Sequence, residues 1–146
     1  MKTYEFLPHM ADVKFRAYGK TLNKAFENAA YALTDVITDH KKIKALKEKT
    51  ISAESEDEKA LLYDFLEQFL ILLDSEGFLL SKIKSLKIEK KDKKAKDKKL
   101  KIFAKIAGDN KPEKYQIKTH VKAVTYQEME IKKEKGVYML QVVADI

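Results

Sequence analysis

Two kinds of hydrophobic spacing alternate along the chain and divide it into segments. Lys2 to Leu7 and Val13 to Tyr18 are short runs rich in β-formers, separated by Pro8-His9-Met10-Ala11-Asp12; they predict two strands and a tight connection. From Thr21 the period changes. Leu22, Ala25, Phe26, Ala29, Leu33 and Val36 recur at helical spacing, with Thr21 as N-cap and few breakers before Thr38. The lysine-rich stretch from Ile43 to Ala53 contains Thr50-Ile51-Ser52, which favours a short strand. Ser55 and Glu58 then have capping-box spacing, and acids in the first turn suit the positive end of a helix dipole. The helix they introduce carries Leu61, Leu62, Phe65, Leu66, Phe69, Leu70 and Leu73 and stops before Gly77. So wide an apolar stripe predicts the more deeply buried of the two helices.

The remainder reads as strands. Phe78 to Ile88 alternates in stretches, and Leu100, Ile102, Ala104 and Ile106 alternate again. The lysine run between them, Lys90 to Lys99, predicts a solvated hairpin tip. Gly108-Asp109-Asn110 predicts a turn, Tyr115 to Ala123 a further strand, and Thr125 to Ile131 a hairpin with Val137 to Asp145 across Lys132 to Gly136. No internal repeat or linker interrupts the order β-β-α-(β)-α-β-β-β-β. The expectation is a single α+β domain over residues 1–146: an antiparallel or mixed sheet with two helices packed on one face.

Composition narrows the function classes. At 45% hydrophobic residues, a chain of 146 can bury its own core. There is no cysteine, so disulfides, thiolate zinc sites and cysteine nucleophiles are excluded. Met1-Lys2-Thr3-Tyr4-Glu5 does not read as a secretory signal, and the apolar run around Phe65 to Leu73, broken by Glu67 and Gln68, is too short to span a bilayer. A soluble, cytoplasmic protein with no membrane partner is expected. The formal charge is +7, and Arg16 is the only arginine among thirty cationic residues. Sequence-reading nucleic-acid proteins use the guanidinium fork to pair with guanine edges and phosphates. An almost pure lysine surface permits a weak tRNA contact without requiring one, and equally fits solubility or thermal adaptation.

Most catalytic signatures are missing. Gly19-Lys20-Thr21 looks like the end of a phosphate-binding P-loop, but Lys14 stands where the motif needs glycine. With four glycines in all, the chain has no nucleotide cradle of its own. His9, His40 and His120 lack metal-ligand spacing to one another, and no nucleophile elbow surrounds a serine. No catalytic residue is assigned. What remains is carboxylate placement. Asp12 stands at a strand mouth just after His9, and Asp145 ends an otherwise apolar strand, where a carboxylate is costly unless it lies at the rim or meets a cation. Ile146 follows and carries the terminal carboxylate of this chain. Oxygen donors without nitrogen or sulfur suit a hard cation, although solvation alone also accounts for a terminal aspartate.

His9-Met10-Ala11-Asp12-Val13, followed by Arg16-Ala17-Tyr18-Gly19 and the Ala- and Phe-containing first helix, resembles the N-terminal signature of the archease family. Lys122-Ala123-Val124-Thr125-Tyr126-Gln127-Glu128-Met129 is similar to its second signature, and Val142-Val143-Ala144-Asp145-Ile146 to its ending. The second helix, with Leu61-Leu62-Tyr63-Asp64-Phe65-Leu66, matches in character, so the resemblance runs end to end. Met10 stands where the family commonly has Thr, and Gln127 where it commonly has His. The resemblance implies a divalent cation, typically Ca²⁺ and otherwise a hard ion such as Mg²⁺ or Mn²⁺, held by Asp12, Asp145 and Ile146. It implies a non-catalytic partner of the GTP-dependent tRNA-splicing RNA ligase, promoting the ligase's guanylylation and repeated turnover. Lys122, Glu128 and His9 are then the polar residues expected to contact the ligase or to orient groups near its nucleotide site. Two other classes are compatible with the residues: an RNA- or protein-binding chaperone for tRNA-modifying enzymes such as a tRNA methyltransferase, and a stand-alone metal-dependent hydrolase.

Overall fold

In chain order the elements are β1 (Tyr4–Leu7), β2 (Asp12–Gly19), α1 (Leu22–Ile37), β3 (Lys47–Ser55), α2 (Glu58–Glu76), β4 (Leu79–Lys91), β5 (Lys99–Asp109), β6 (Ala123–Glu134) and β7 (Val137–Asp145). Short 3₁₀ turns occupy His40–Lys42 and Pro112–Lys114. The computed structural model describes residues 2–91 and 99–146. The expected hairpin tip therefore falls largely outside the described residues, although Lys91 pairs with Lys99 at its base.

The α+β class holds, with its strands divided between two antiparallel sheets, ordered β1-β2-β7-β6 and β3-β5-β4. Phe15 and Ala17 of β2 and Leu140, Val142 and Ala144 of β7 point inward and are fully buried. Against them lies α1, packed through Ala25, Phe26, Ala29, Ala30 and Leu33. Its alanines let the helix sit close to the sheet, and Gly19 shows how close: a Cβ there would come within 2.4 Å of the Ala25 backbone nitrogen. The Thr21 hydroxyl accepts from the Lys24 N–H at 3.0 Å, as its cap position predicts. Phe26 of α1 meets Phe65 of α2 at 5.7 Å between ring centroids, joining the two helices across one core.

Several details depart from the expectations. The first helix is the more deeply buried, with ten of sixteen residues inaccessible against six of nineteen in α2. It contacts β1, β2, β4 and β7, whereas one side of α2 stays in water. The cap of α2 is Asp57, whose Oδ1 accepts from Ala60 N–H at 2.8 Å. Ser55 cannot serve, because it ends β3 and its hydroxyl is committed to Asp64 Oδ2 at 2.5 Å. Gly77, at φ 68°, closes the helix in the left-handed conformation that glycine adopts without strain.

Tyr115 to Lys122 is no strand. It is an irregular strap whose polar groups are used by the end of α1: Lys118 N–H donates to Ile37 O at 2.7 Å, and the Thr38 hydroxyl to Gln116 O at 2.7 Å. β5 also runs on through Gly108 and Asp109, where a turn was expected. The Asp109 carboxylate is buried there and accepts from the Tyr115 hydroxyl at 2.8 Å.

Candidate functional site

Where β2 begins and β7 ends, the sheet brings both candidate carboxylates to one place. Asp12 is the first residue of β2, Asp145 the last of β7, and the two are direct cross-strand partners. Side chains so paired stand on the same face with Cβ atoms roughly 5 Å apart, and like charges in that position repel. Ala123, the first residue of β6, pairs with Asp145 from the other side, and Lys122 N–H donates to Asp145 O at 2.8 Å. Ile146 follows, partly exposed. No hydrogen bond or ion pair joins the Asp145 carboxylate to any described residue. The Asp12 carboxylate has His9 beside it, whose Nδ1 lies 3.8 Å from Oδ2.

His9 reaches this position through the β1–β2 connection, where Ala11 takes φ 64° to make the turn. Its Nε2 meets Glu128 Oε2 at 2.8 Å, and Lys14 Nζ lies 3.4 Å from Glu128 Oε1. The hydrogen bond from His9, followed by that from Lys14, holds the Glu128 carboxyl below the usual glutamate range. With Nε2 engaged, His9 Nδ1 is left buried with no hydrogen-bond partner, directed at the Asp12 side.

Glu128 owes its position to an irregular β6. Thr125 pairs with Val143 and Glu130 with Gln141, so the four residues Tyr126 to Met129 stand opposite Val142 alone. Met129 is buried, while Tyr126, Gln127 and Glu128 are exposed and Glu128 sits at φ 51°. Such a bulge re-aims side chains that regular pairing would have spread along the strand. Four hydrogen bonds fix its shape, the last through Gln141. The Thr125 hydroxyl donates to Val143 O at 2.8 Å and accepts from Gln127 N–H at 3.3 Å. The amide of buried Gln141 donates to Glu128 O at 2.7 Å and accepts from Arg16 Nε at 2.9 Å.

All six residues singled out in the sequence (His9, Asp12, Lys122, Glu128, Asp145 and Ile146) therefore gather at one corner. His40 stands apart from it, stacked on Tyr31 at 4.7 Å. Lys14, Arg16 and Gln141 belong to the corner's support and were not foreseen in that role. For Gln141 a signal existed: it is the one polar side chain in the strand before Asp145 that has neither charge nor aromatic ring, and a buried amide needs partners. Chemically, the corner offers oxygen donors suited to a hard cation. No three His, Cys, Asp or Glu side chains converge among the described residues, so two carboxylates would need terminal or main-chain oxygens to complete a shell.

Two helices on paired antiparallel sheets, with a carboxylate pair where the second and last strands meet, define a small α+β protein with a polar corner. The chain belongs to the archease family: the family model described as "Archease protein family (MTH1598/TM1083)" matches residues 4–146. Relatives named "Protein archease" include those of Pyrococcus furiosus, 43% identical over 148 aligned residues, and Methanothermobacter thermautotrophicus, 38% identical over 146, both with all of each chain covered. The solution structure of Methanobacterium thermoautotrophicum protein 1598 superposes with a TM-score of 0.83 at 36% identity over the whole of both chains. A Thermotoga maritima crystal structure, described as an archease and possible chaperone, shares the fold with a TM-score of 0.56 at 19% identity, covering 96% of this chain and 94% of its own.

Proposed function

We propose that this archease is a non-catalytic accessory protein of the GTP-dependent RNA ligase that rejoins tRNA halves. In this reading Asp12, Asp145 and the Ile146 carboxylate hold a hard divalent cation, Ca²⁺ foremost. The observation that carries it is the direct pairing of Asp12 with Asp145, whose carboxylate no described residue hydrogen-bonds or pairs with. Two acids facing each other across a ladder cost stability unless something from outside offsets them. The cation would supply positive charge to phosphate groups or order a loop of the ligase. His9, Lys14 and Glu128 form a polar wall beside it, and Tyr126, Gln127 and Lys122 are exposed for contact.

The test is joining of tRNA halves by the cognate ligase, under single-turnover and multiple-turnover conditions, with GTP and divalent cation. Wild type should raise both guanylylation and turnover, and Asp145→Ala, equally folded, should not. If wild type leaves the ligase unchanged, the accessory role is wrong, and the chaperone reading becomes the one to pursue with tRNA-modifying enzymes. That alternative is favoured by the description of the Thermotoga maritima relative as a possible chaperone.

A further inference from the structure

A second polar site lies at the C-terminal end of α1. There a cavity of about 340 Å³ opens between Thr38 and Lys42 on one side and Lys114, Tyr115, Gln116 and Lys118 on the other. Its walls are tied together. The Thr38 hydroxyl donates to Gln116 O at 2.7 Å, Lys118 N–H donates to Ile37 O at 2.7 Å, and the Tyr115 hydroxyl accepts from Lys44 N–H at 3.1 Å.

The charges lining it are unequal in what they have to do. Lys114 lies 3.3 Å from the buried Asp109 carboxylate and serves to neutralise it. Asp39, the one acid in the lining, spends a carboxylate oxygen on Lys41 N–H at 3.2 Å. Lys42 and Lys118 make no ion pair with any described residue. Some other lysines are paired, as Lys24 is with Glu27 and Lys132 with Glu130, and others such as Lys20 and Lys59 are not; Lys42 and Lys118 differ in bordering one cavity. Two unpaired ammonium groups bordering one cavity supply charge that an oxyanion can use. Its volume falls within the range of small-ligand pockets. The exposed Gln116 side chain adds an amide that can donate to a phosphate oxygen.

We propose that this cavity binds phosphate, taking a phosphodiester of an RNA strand on Lys42 and Lys118. The site shares no residue with the carboxylate corner, so it stands or falls independently of the ligase reading. Lysine contributes point charge rather than base recognition, so binding is indifferent to sequence and sensitive to salt.

The experiment compares wild type with the double variant Lys42→Gln/Lys118→Gln and a charge-matched control, Lys20→Gln/Lys59→Gln, whose lysines are exposed and unpaired elsewhere. A labelled single-stranded RNA of about a dozen nucleotides is titrated by anisotropy across a salt series, and tripolyphosphate is titrated while backbone amides are followed by NMR. The pocket variant should weaken RNA binding about tenfold and lower the log–log salt slope by about 1.4, roughly 0.7 per phosphate contact on a single strand. The control should change affinity no more than about twofold. Amide shifts at 38–42 and 114–118 with tripolyphosphate, without the RNA effect, would keep the phosphate site and assign it to a free polyphosphate. Equal losses in the two variants, or no shift in those segments with either probe, would overturn it.

Discussion

Asp109 and Asp145 each end a strand, and they are handled in opposite ways. Asp109, 2% exposed, accepts from the Tyr115 hydroxyl, Lys114 Nζ and Lys111 N–H, at 2.8, 3.3 and 3.2 Å. Its carboxyl is held below the usual aspartate range, with the Tyr115 hydrogen bond as the main cause. Asp145 is half-buried, faces a second aspartate, and is offered nothing by the described residues. A carboxylate that holds the fold together is satisfied from within the chain; one that faces its own kind is the position the proposed cation would offset.

The comparison breaks most visibly by removing the two acids in turn. Asp109→Ala leaves the Tyr115 and Lys114 groups without their acceptor, and the thermal midpoint should fall by about 5 °C or more. Asp145→Ala relieves a repulsion, so in cation-free buffer its midpoint should match or exceed wild type. A fall in Asp145→Ala equal to that in Asp109→Ala would erase the distinction. Adding Ca²⁺ sharpens it. A ligand at about 100 times its dissociation constant stabilises by about 2.7 kcal/mol. Wild type should therefore gain several degrees in calcium and lose them with chelator, while Asp12→Asn and Asp145→Asn gain little.

Acidity gives a smaller effect. A carboxyl whose folded value is depressed contributes stability above its unfolded value, near 3.8, and loses that contribution as pH falls through the folded value. Asp109→Asn should flatten the loss of stability below about pH 4. The smallest change is expected in the support of the bulge. Gln141→Leu removes the amide that holds Glu128 O and should cost about 1 kcal/mol. Its specific signature is faster hydrogen exchange at Gln127 to Met129, with α1 unaffected.

The parts of this protein that local spacing determines were legible beforehand. Thr21 and the apolar positions after it specify α1, because capping and periodicity act within a few residues. The last strand was legible for the same reason, and with it the rim position of Asp145. What escaped depends on partners distant in sequence. Ser55 has the spacing of a cap, yet β3 extends far enough to claim it, and Asp57 takes the role. Tyr115 to Ala123 alternates like a strand, but backbone groups at Gln116 and Lys118 meet the end of α1, and only its last residues join β7. The direct pairing of Asp12 with Asp145 is a matter of register, and the bulge that brings Glu128 to His9 is a mismatch between two strands. Neither is written in either strand alone. Sequence resemblance marked all six residues of the corner; the pairing that sets the two aspartates face to face required the structure.

The most direct test of the open carboxylate pair is a Ca²⁺ titration of the cation-free protein, followed by backbone amide NMR. Saturable shifts should appear at Ala11 to Val13, Lys122 and Ala123, and Ala144 to Ile146, and Asp145→Asn should abolish them while Asp109 and its neighbours stay still. Saturable binding that moves the Asp109 region instead, or no saturable shift at the corner, would contradict the account.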